Sequence, residues 1–184
     1  MKKIEYKGEI SLYTCPTVLV TSKNNKGIDN VFTVSWAGIA SSHPEYVTIA
    51  INTKRLSHLI IEESKKFCIN IPSSDLVDKV DYCGLHSGRE VDKFKECGFD
   101  KIIYDSDYIL IKQCQMHLLC DVDAIISLGS HDLFIAKVYK KVINDYFADV
   151  YKKANPIVYF RPYYYEIKET PIGYYGFTSK DAEK

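Results

Sequence analysis

This chain lacks an excess of charge of either sign, because 24 lysines and arginines face 24 aspartates and glutamates. That balance removes the global field by which a protein attracts nucleic acid or an anionic membrane surface. Long apolar runs are missing as well: nothing approaches the roughly 18 apolar residues expected of a membrane span. The start, MKKIEYKGEI, has the charges of an export signal without the apolar stretch that must follow them. A soluble cytoplasmic protein is expected. The six cysteines (Cys15, Cys68, Cys83, Cys97, Cys114 and Cys120) form no CxxC pair, and no histidine stands beside them at zinc-ligand spacing. Reduced thiols, with no metal site, are the direct reading. No GxGxxG follows a strand and βαβ alternation is absent, so a Rossmann domain fits poorly. There is no G-x-S-x-G elbow to support nucleophilic hydrolysis.

Hydrophobic residues at 46% and aromatic residues at 13% argue for a packed fold and against disorder. The 184 residues suffice for a single domain, residues 1–184, with residues 155–184 as a C-terminal extension rich in Tyr. Low net charge also makes association between copies easier.

Strand signals open the chain. Cys15–Ser22 is a β-branched run closed by a turn at Asn24–Gly27, Asp29–Ile39 forms a second strand, and Glu45–Asn52 alternates as a third. Leu56, Leu59, Ile60 and Glu63 then follow helical spacing, with Thr53 or Ser57 placed to cap the helix. Lys66–Pro72 returns to strand. Short helices are predicted over Asp75–Tyr82, ended by Gly84, and over Glu90–Cys97, ended by Gly98. Two long strands, Gln115–Ser127 and His131–Asn144, flank Leu128-Gly129-Ser130 as a hairpin. The fold class is mainly β with inserted helices (α+β), best satisfied by a closed or nearly closed antiparallel barrel.

Four segments carry chemistry. In Asn30–Ser42, NVFTVSWAGIASS, alternation sends Phe32, Val34 and Trp36 to one side and Val31, Thr33, Ser35 and Ala37 to the other. Small residues and hydroxyls beside one indole suit a flat polar heterocycle; an ordinary strand with Trp36 in the core is the alternative. Asn52-Thr53-Lys54-Arg55-Leu56-Ser57 places helix N–H groups, hydroxyls and two cations where a phosphate could bind, or merely caps a helix. Cys83–Phe94, CGLHSGREVDKF, gathers a thiol, an imidazole, Ser87, Arg89 and Lys93 around two glycines. Arg89 and Lys93 share a face if a helix begins at Arg89, and Cys83 is reactive only if its pKa is lowered. His131, in Gly129–Asp132, could titrate near neutrality or meet a cofactor edge. His43, His58 and His117 show no partner, and Asp121 and Asp123 read as solvated or lysine-paired carboxylates.

Together these segments resemble the flavin reductase-like family of FMN-binding split-barrel proteins, in particular its flavoredoxin-like branch. The likeness runs from about Cys15 to Phe177. It includes Pro16–Ser22, Asn30–Gly38, Ser41–Pro44, Cys83–Phe94 and Gly129–Val138 in order and register. It implies a homodimeric, six-stranded antiparallel Greek-key split barrel that binds FMN non-covalently near the dimer interface. By position, Thr33, Val34, Ser35 and Trp36 lie along the isoalloxazine ring. Ser41 and Ser42 face the ring or ribityl chain, and Thr53, Lys54, Arg55 and Ser57 hold the phosphate end. Arg89 and Lys93 bring positive charge, while Asn30, Cys83 and Ser87 fall in the matching motifs and join the cofactor-binding set. His131 lies towards the substrate and is the one candidate catalytic residue. Glu45 follows Pro44 where many relatives have a second proline, which bears on the charge a reductant meets. The implied activity is NAD(P)H-dependent reduction of flavin with electrons passed to an acceptor. The alternative is a flavoredoxin-type carrier fed by a redox partner protein, without NAD(P)H turnover of its own.

Overall fold

A computed structural model describes residues 3–5, 7–8, 12, 14–145 and 155–167. The part of the expected C-terminal extension beyond residue 167 lies outside the described residues. Strands β1 (Cys15–Pro16), β2 (Val18–Lys23), β3 (Asp29–Val34), β4 (Ala37–Ser42) and β5 (Glu45–Asn52) lead into helix α1 (Leu56–Ser64) and β6 (Lys66–Ile71). A 3-10 turn at Ser74–Leu76 runs into α2 (Val77–Leu85), followed by the single-turn α3 (Lys93–Glu96). The remaining strands are β7 (Lys101–Tyr104), β8 (Tyr108–Ile111), β9 (Met116–Ser127), β10 (His131–Ile143), β11 (Ile157–Phe160) and β12 (Tyr163–Glu166). Among the described residues no helix is long and apolar enough to cross a membrane.

Seven strands form one sheet in the order β3-β2-β6-β9-β10-β5-β4, with every neighbouring pair antiparallel. Its two edges, β3 and β4, are consecutive in the chain and separated only by Ser35 and Trp36. Two residues cannot span a flat seven-stranded sheet, because neighbouring strands lie about 4.8 Å apart. The sheet therefore curls until its edges meet, as a barrel with a seam. The Ala50 N–H donates to the Trp36 carbonyl at 2.9 Å and holds the crossing residue against β5. The mainly β split barrel matches the expectation. The single strand expected over Asp29–Ile39 does not, since it breaks at Ser35–Trp36. Counted with β3 and β4 as one strand, the barrel has the expected six.

Alternation along β2 and β3 builds two cores, since both faces of these strands are covered. Val18, Val20, Phe32 and Val34 point into the barrel with Ile49, Ile51, Phe67 and Phe134. Leu19 and Val31 point outward, where α2, α3 and β8 cover them with Val80, Cys83, Phe94, Cys97 and Ile109. Each fully buried side chain of this size contributes about 1.5–3 kcal/mol relative to exposure. The second core also takes Ile157, because β11 pairs with β1 and brings residues 155–167 onto the body.

A polar knot joins the layers. The Asn70 Oδ1 accepts from the Ile111 N–H at 2.9 Å and from His117 Nδ1 at 2.8 Å, while its Nδ2 donates to the Leu19 carbonyl and Thr21 Oγ1. Thr21 donates in turn to the Ile109 carbonyl. Because Asn70 Oδ1 must accept from both, His117 carries its proton on Nδ1. Burial pushes the His117 pKa down to about 4, so it is neutral at pH 7.

Local chemistry corrects several helix expectations. Helix α2 passes through Gly84 and ends at Leu85. A Cβ there would meet Thr33 Cβ at 3.5 Å, an ordinary contact, so glycine at this position neither ends the helix nor is required by its packing on β3. The helix expected over Glu90–Cys97 shrinks to Lys93–Glu96, because Asp92 caps it by accepting from the Phe94 and Lys95 N–H groups at 3.1 and 3.2 Å. Arg89 is thus outside the helix, and its expected i, i+4 relation to Lys93 fails. Gly98 does end this segment, at a φ of +61°. The long hairpin over β9 and β10 stands as expected, to within a residue at its ends.

Candidate functional site

The seam opens into two adjoining cavities. The first, about 350 Å³, is lined by Asn30, Thr33, Lys54, Arg55, Ser57 and Lys93, together with the Gly84–Arg89 segment. The second, about 240 Å³, shares Phe32, Thr33, Asn52 and Arg55 with it and continues along Val34, Ser35 and Trp36 to His131. One cleft therefore runs from a polar pocket to an aromatic mouth.

The polar end is built where β5 gives way to α1. Asn52 Oδ1 accepts from the Lys54 N–H at 3.0 Å, and the Arg55 N–H closes a turn onto the Asn52 carbonyl. Arg55 is the N-terminal cap of α1 with extended geometry, and no side chain caps the helix. Neither Thr53 nor Ser57 plays the expected capping part. The first N–H groups of α1 and its positive dipole end are left for a ligand. Ser57 is buried, and its Oγ accepts from Asn30 Nδ2 at 2.7 Å. Gly88 packs against that Asn30 amide so closely that an added Cβ would collide with it.

Across the pocket, Arg89 Nη1 donates to the Lys54 carbonyl at 2.9 Å and straps the 86–92 loop to the turn at 52–55. Ser87 shapes that loop, its Oγ accepting from the Arg89 N–H and its carbonyl from the Glu90 and Val91 N–H groups. Lys93 is only 3% exposed, and its Nζ donates to the Cys83 carbonyl at 3.1 Å. Burial pushes its pKa down to about 8. Lys54, Arg55, Arg89 and Lys93 thus line a pocket that no carboxylate enters, an arrangement suited to a dianion.

At the other end, Trp36 is 51% exposed, so the core reading of this residue fails. Its ring lies 4.6 Å from that of His131 at a tilt of 43°. The Thr33 hydroxyl donates to the Val80 carbonyl and so fastens α2 to β3. Asp132, beside His131 in the chain, faces the other way: its carboxylate meets His58 Nε2 at 2.8 Å and accepts from Ser127 Oγ at 2.8 Å. These bonds hold its carboxyl below the usual range.

The structure thus brings Asn30, Thr33, Val34, Ser35, Trp36, Lys54, Arg55, Ser57, Ser87, Arg89, Lys93 and His131 to one cleft. It places others elsewhere. The Cys83 thiol is buried in the second core, and burial pushes its pKa up to about 12, so it does not meet the condition for a reactive thiolate. Thr53, Ser41 and Ser42 are outside the lining of both cavities. Asn52 and His86, the imidazole of the Cys83–Phe94 segment, also line the cleft, although neither belongs to the cofactor-binding set that the resemblance implies. His58 and His117 have the partners that spacing alone did not show. Asp123 is solvent-exposed, in line with the expectation, and accepts from Tyr46, while the half-buried Asp121 accepts from Tyr108. Glu45 is paired with Lys141 at 2.6 Å.

Known proteins share this architecture. The flavoredoxin of Methanosarcina acetivorans superposes with a TM-score of 0.87 at 24% identity, covering 98% of each chain. The flavoredoxin of Desulfovibrio vulgaris (Miyazaki F) gives a TM-score of 0.83 at 22% identity, over 95% of this chain and 98% of its own. An FMN-binding protein from Thermus thermophilus, solved with bound 1-cyclohex-2-enone, gives 0.82 at 19% identity over 94% of this chain and 99% of its own. At sequence level, residues 10–168 match the family model described as the flavin reductase like domain. With most of its length inside that match, the chain belongs to the flavin reductase-like family.

Proposed function

We propose that this chain is an FMN-binding electron carrier of the flavoredoxin type. The observation that carries the reading is the graded cleft: four cations and the uncapped N-terminus of α1 at one end, an exposed indole and imidazole at the other. A phosphate ester and a flat ring at opposite ends of one ligand match that gradient. Lys54, Arg55, Arg89, Lys93 and Ser57 would hold the phosphate through charge-assisted hydrogen bonds. The β3 edge and Trp36 would lie along the ring, with His131 beside it. A bound flavin supplies the electron transfer, while these residues set its position, charge environment and access. The uncovered backbone of the β3 edge offers N–H groups to charge that gathers on a reduced ring, as an oxyanion hole does.

The likeness to flavoredoxins over nearly the whole chain favours a carrier fed by a partner protein. Direct NAD(P)H turnover, the activity placed first from sequence, is the second reading, favoured by the half-exposed Trp36–His131 mouth, where a nicotinamide could reach the ring. A homodimer is part of the proposal. Ile39 at 86% exposure on the edge strand β4, Leu128 at 61% in the β9–β10 turn and Trp36 at 51% are exposed apolar side chains that a second copy would cover.

The test is an absorbance spectrum after loading with FMN and desalting, followed by anaerobic NADH and then NADPH. Retained flavin bands that stay unbleached until a reduced redox protein is added are expected. Bleaching by either nucleotide would move the reading to a reductase, and no retained flavin would remove both.

A further inference from the structure

We infer that Cys83 and Cys97 form a reversible disulfide site whose closure restrains the wall of the cleft. Their sulfurs lie 3.7 Å apart, the one sulfur–sulfur contact among the described residues. Cys83 is on α2 and Cys97 directly follows α3, so the two thiols stand at either end of a single excursion of the chain. That excursion carries Gly84, His86, Ser87, Gly88, Arg89 and Lys93, all of which line the first cavity. A covalent link between its ends would close a short loop and reduce the freedom of the segment it encloses.

The surroundings fit oxidation by a small reagent rather than by another protein. Cys83 is 1% exposed and Cys97 is 7% exposed, which excludes a bulky partner. Burial raises the pKa of both thiols, and the Lys93 ammonium, held on the Cys83 carbonyl, offsets part of that rise. Hydrogen peroxide is small enough to reach them. In the first step the small fraction of Cys97, the less buried of the two, that has lost its proton attacks one peroxide oxygen; the O–O bond breaks, giving a sulfenic acid and hydroxide, which takes up the thiol proton as water. The Cys83 sulfur then attacks the sulfenic sulfur, the S–O bond breaks, a disulfide forms and a second water leaves. Two thiols are oxidised by two electrons in total and one peroxide is reduced to two waters. Because burial raises the pKa of Cys97 as well as that of Cys83, the attacking thiolate is scarce at neutral pH and the reaction is slow beside that of an exposed thiolate.

This inference does not rest on the flavin reading, and its test avoids flavin altogether. The full chain, treated with hydrogen peroxide, is alkylated under denaturing conditions and mapped by mass spectrometry without reduction. A peptide pair joining Cys83 to Cys97 with loss of two hydrogens is expected, with Cys68, Cys114 and Cys120 alkylated. Hydrogen exchange should then slow by about tenfold or more across residues 84–96 and recover with dithiothreitol. Alkylation of both cysteines, a link to any other cysteine or chain, or a disulfide that leaves exchange unchanged would each overturn the inference. Cys97→Ser should abolish the effect of peroxide on exchange, and if that variant does not fold, the unmodified chain decides alone.

Discussion

Two regions of this protein are built from the same kinds of polar group and put them to opposite ends. Around Asn70, every donor and acceptor of the amide meets a partner, and the neutral His117 shares in the closure. Around Asn30, the amide bonds Ser57, and Arg89 and Lys93 each reach one backbone carbonyl. These two cations, Lys54 and Arg55 line one pocket beside the uncapped N-terminus of α1, with no carboxylate among them. A saturated buried network fixes architecture; an unsaturated one is a request for a ligand. The contrast is what identifies the cleft, since hydrophobicity alone would not separate the two.

Substitutions should divide along that line. The largest effect is expected from Asn70→Ala, which orphans the Ile111 N–H and His117 Nδ1–H in the interior. A loss of about 3–5 kcal/mol in unfolding free energy, measured by denaturant titration, follows from the cost of such groups. FMN affinity of the fraction that remains folded should stay the same. Next come Lys93→Met and Lys54→Ala, each expected to weaken FMN binding by about 1.5–3 kcal/mol, the range for bonds to charged groups. Neither should lower stability by a comparable amount, and unchanged affinity in both would remove the phosphate placement.

Lys93 sharpens the comparison through pH. Its folded pKa of about 8 lies below the ordinary value of 10.5, so between these values the unfolded chain binds the additional proton. Stability of the free protein should therefore rise with pH across that window. FMN affinity should fall across the same window if Lys93 holds the phosphate as proposed, because its ammonium is lost. Isothermal titration and thermal unfolding at pH 7, 8 and 9 would show both slopes, and Lys93→Met should flatten both. The smallest stability effect is expected from Trp36→Ala, at about 1 kcal/mol or less for a half-exposed side chain, with a clear shift in the bound flavin spectrum. A large stability loss with an unaltered spectrum would return Trp36 to the core.

Local signals in the chain were enough to read much of this. The β9–β10 hairpin is legible because alternation is sustained on both sides of Leu128-Gly129-Ser130, and a turn there leaves few other registers. The polar end of the cleft is legible because Asn52–Ser57 and Ser87–Lys93 each concentrate cations, hydroxyls or glycine at an element boundary. What local pattern could not supply is separation in sequence. The partner of His58 is 74 residues away and that of His117 is 47 away. The break at Ser35 is likewise imposed by closure of the whole sheet, since the local alternation runs on to Ile39. Cys83 misled for the same reason: its glycine-rich neighbourhood lines the pocket, while its own side chain turns to a core assembled from distant strands.

The two-residue passage from β3 to β4 has a consequence for how this protein tolerates change. Because, among the described residues, β3 pairs only with β2, and β4 only with β5, the lips of the seam present peptide groups that no substitution short of proline or deletion removes. Alanine scanning samples side chains and is blind to these groups. The Trp36 end of the cleft should thus look permissive in a mutational library while the polar end looks strict. Lineages diverging from such an ancestor can rewrite the mouth without rebuilding the barrel.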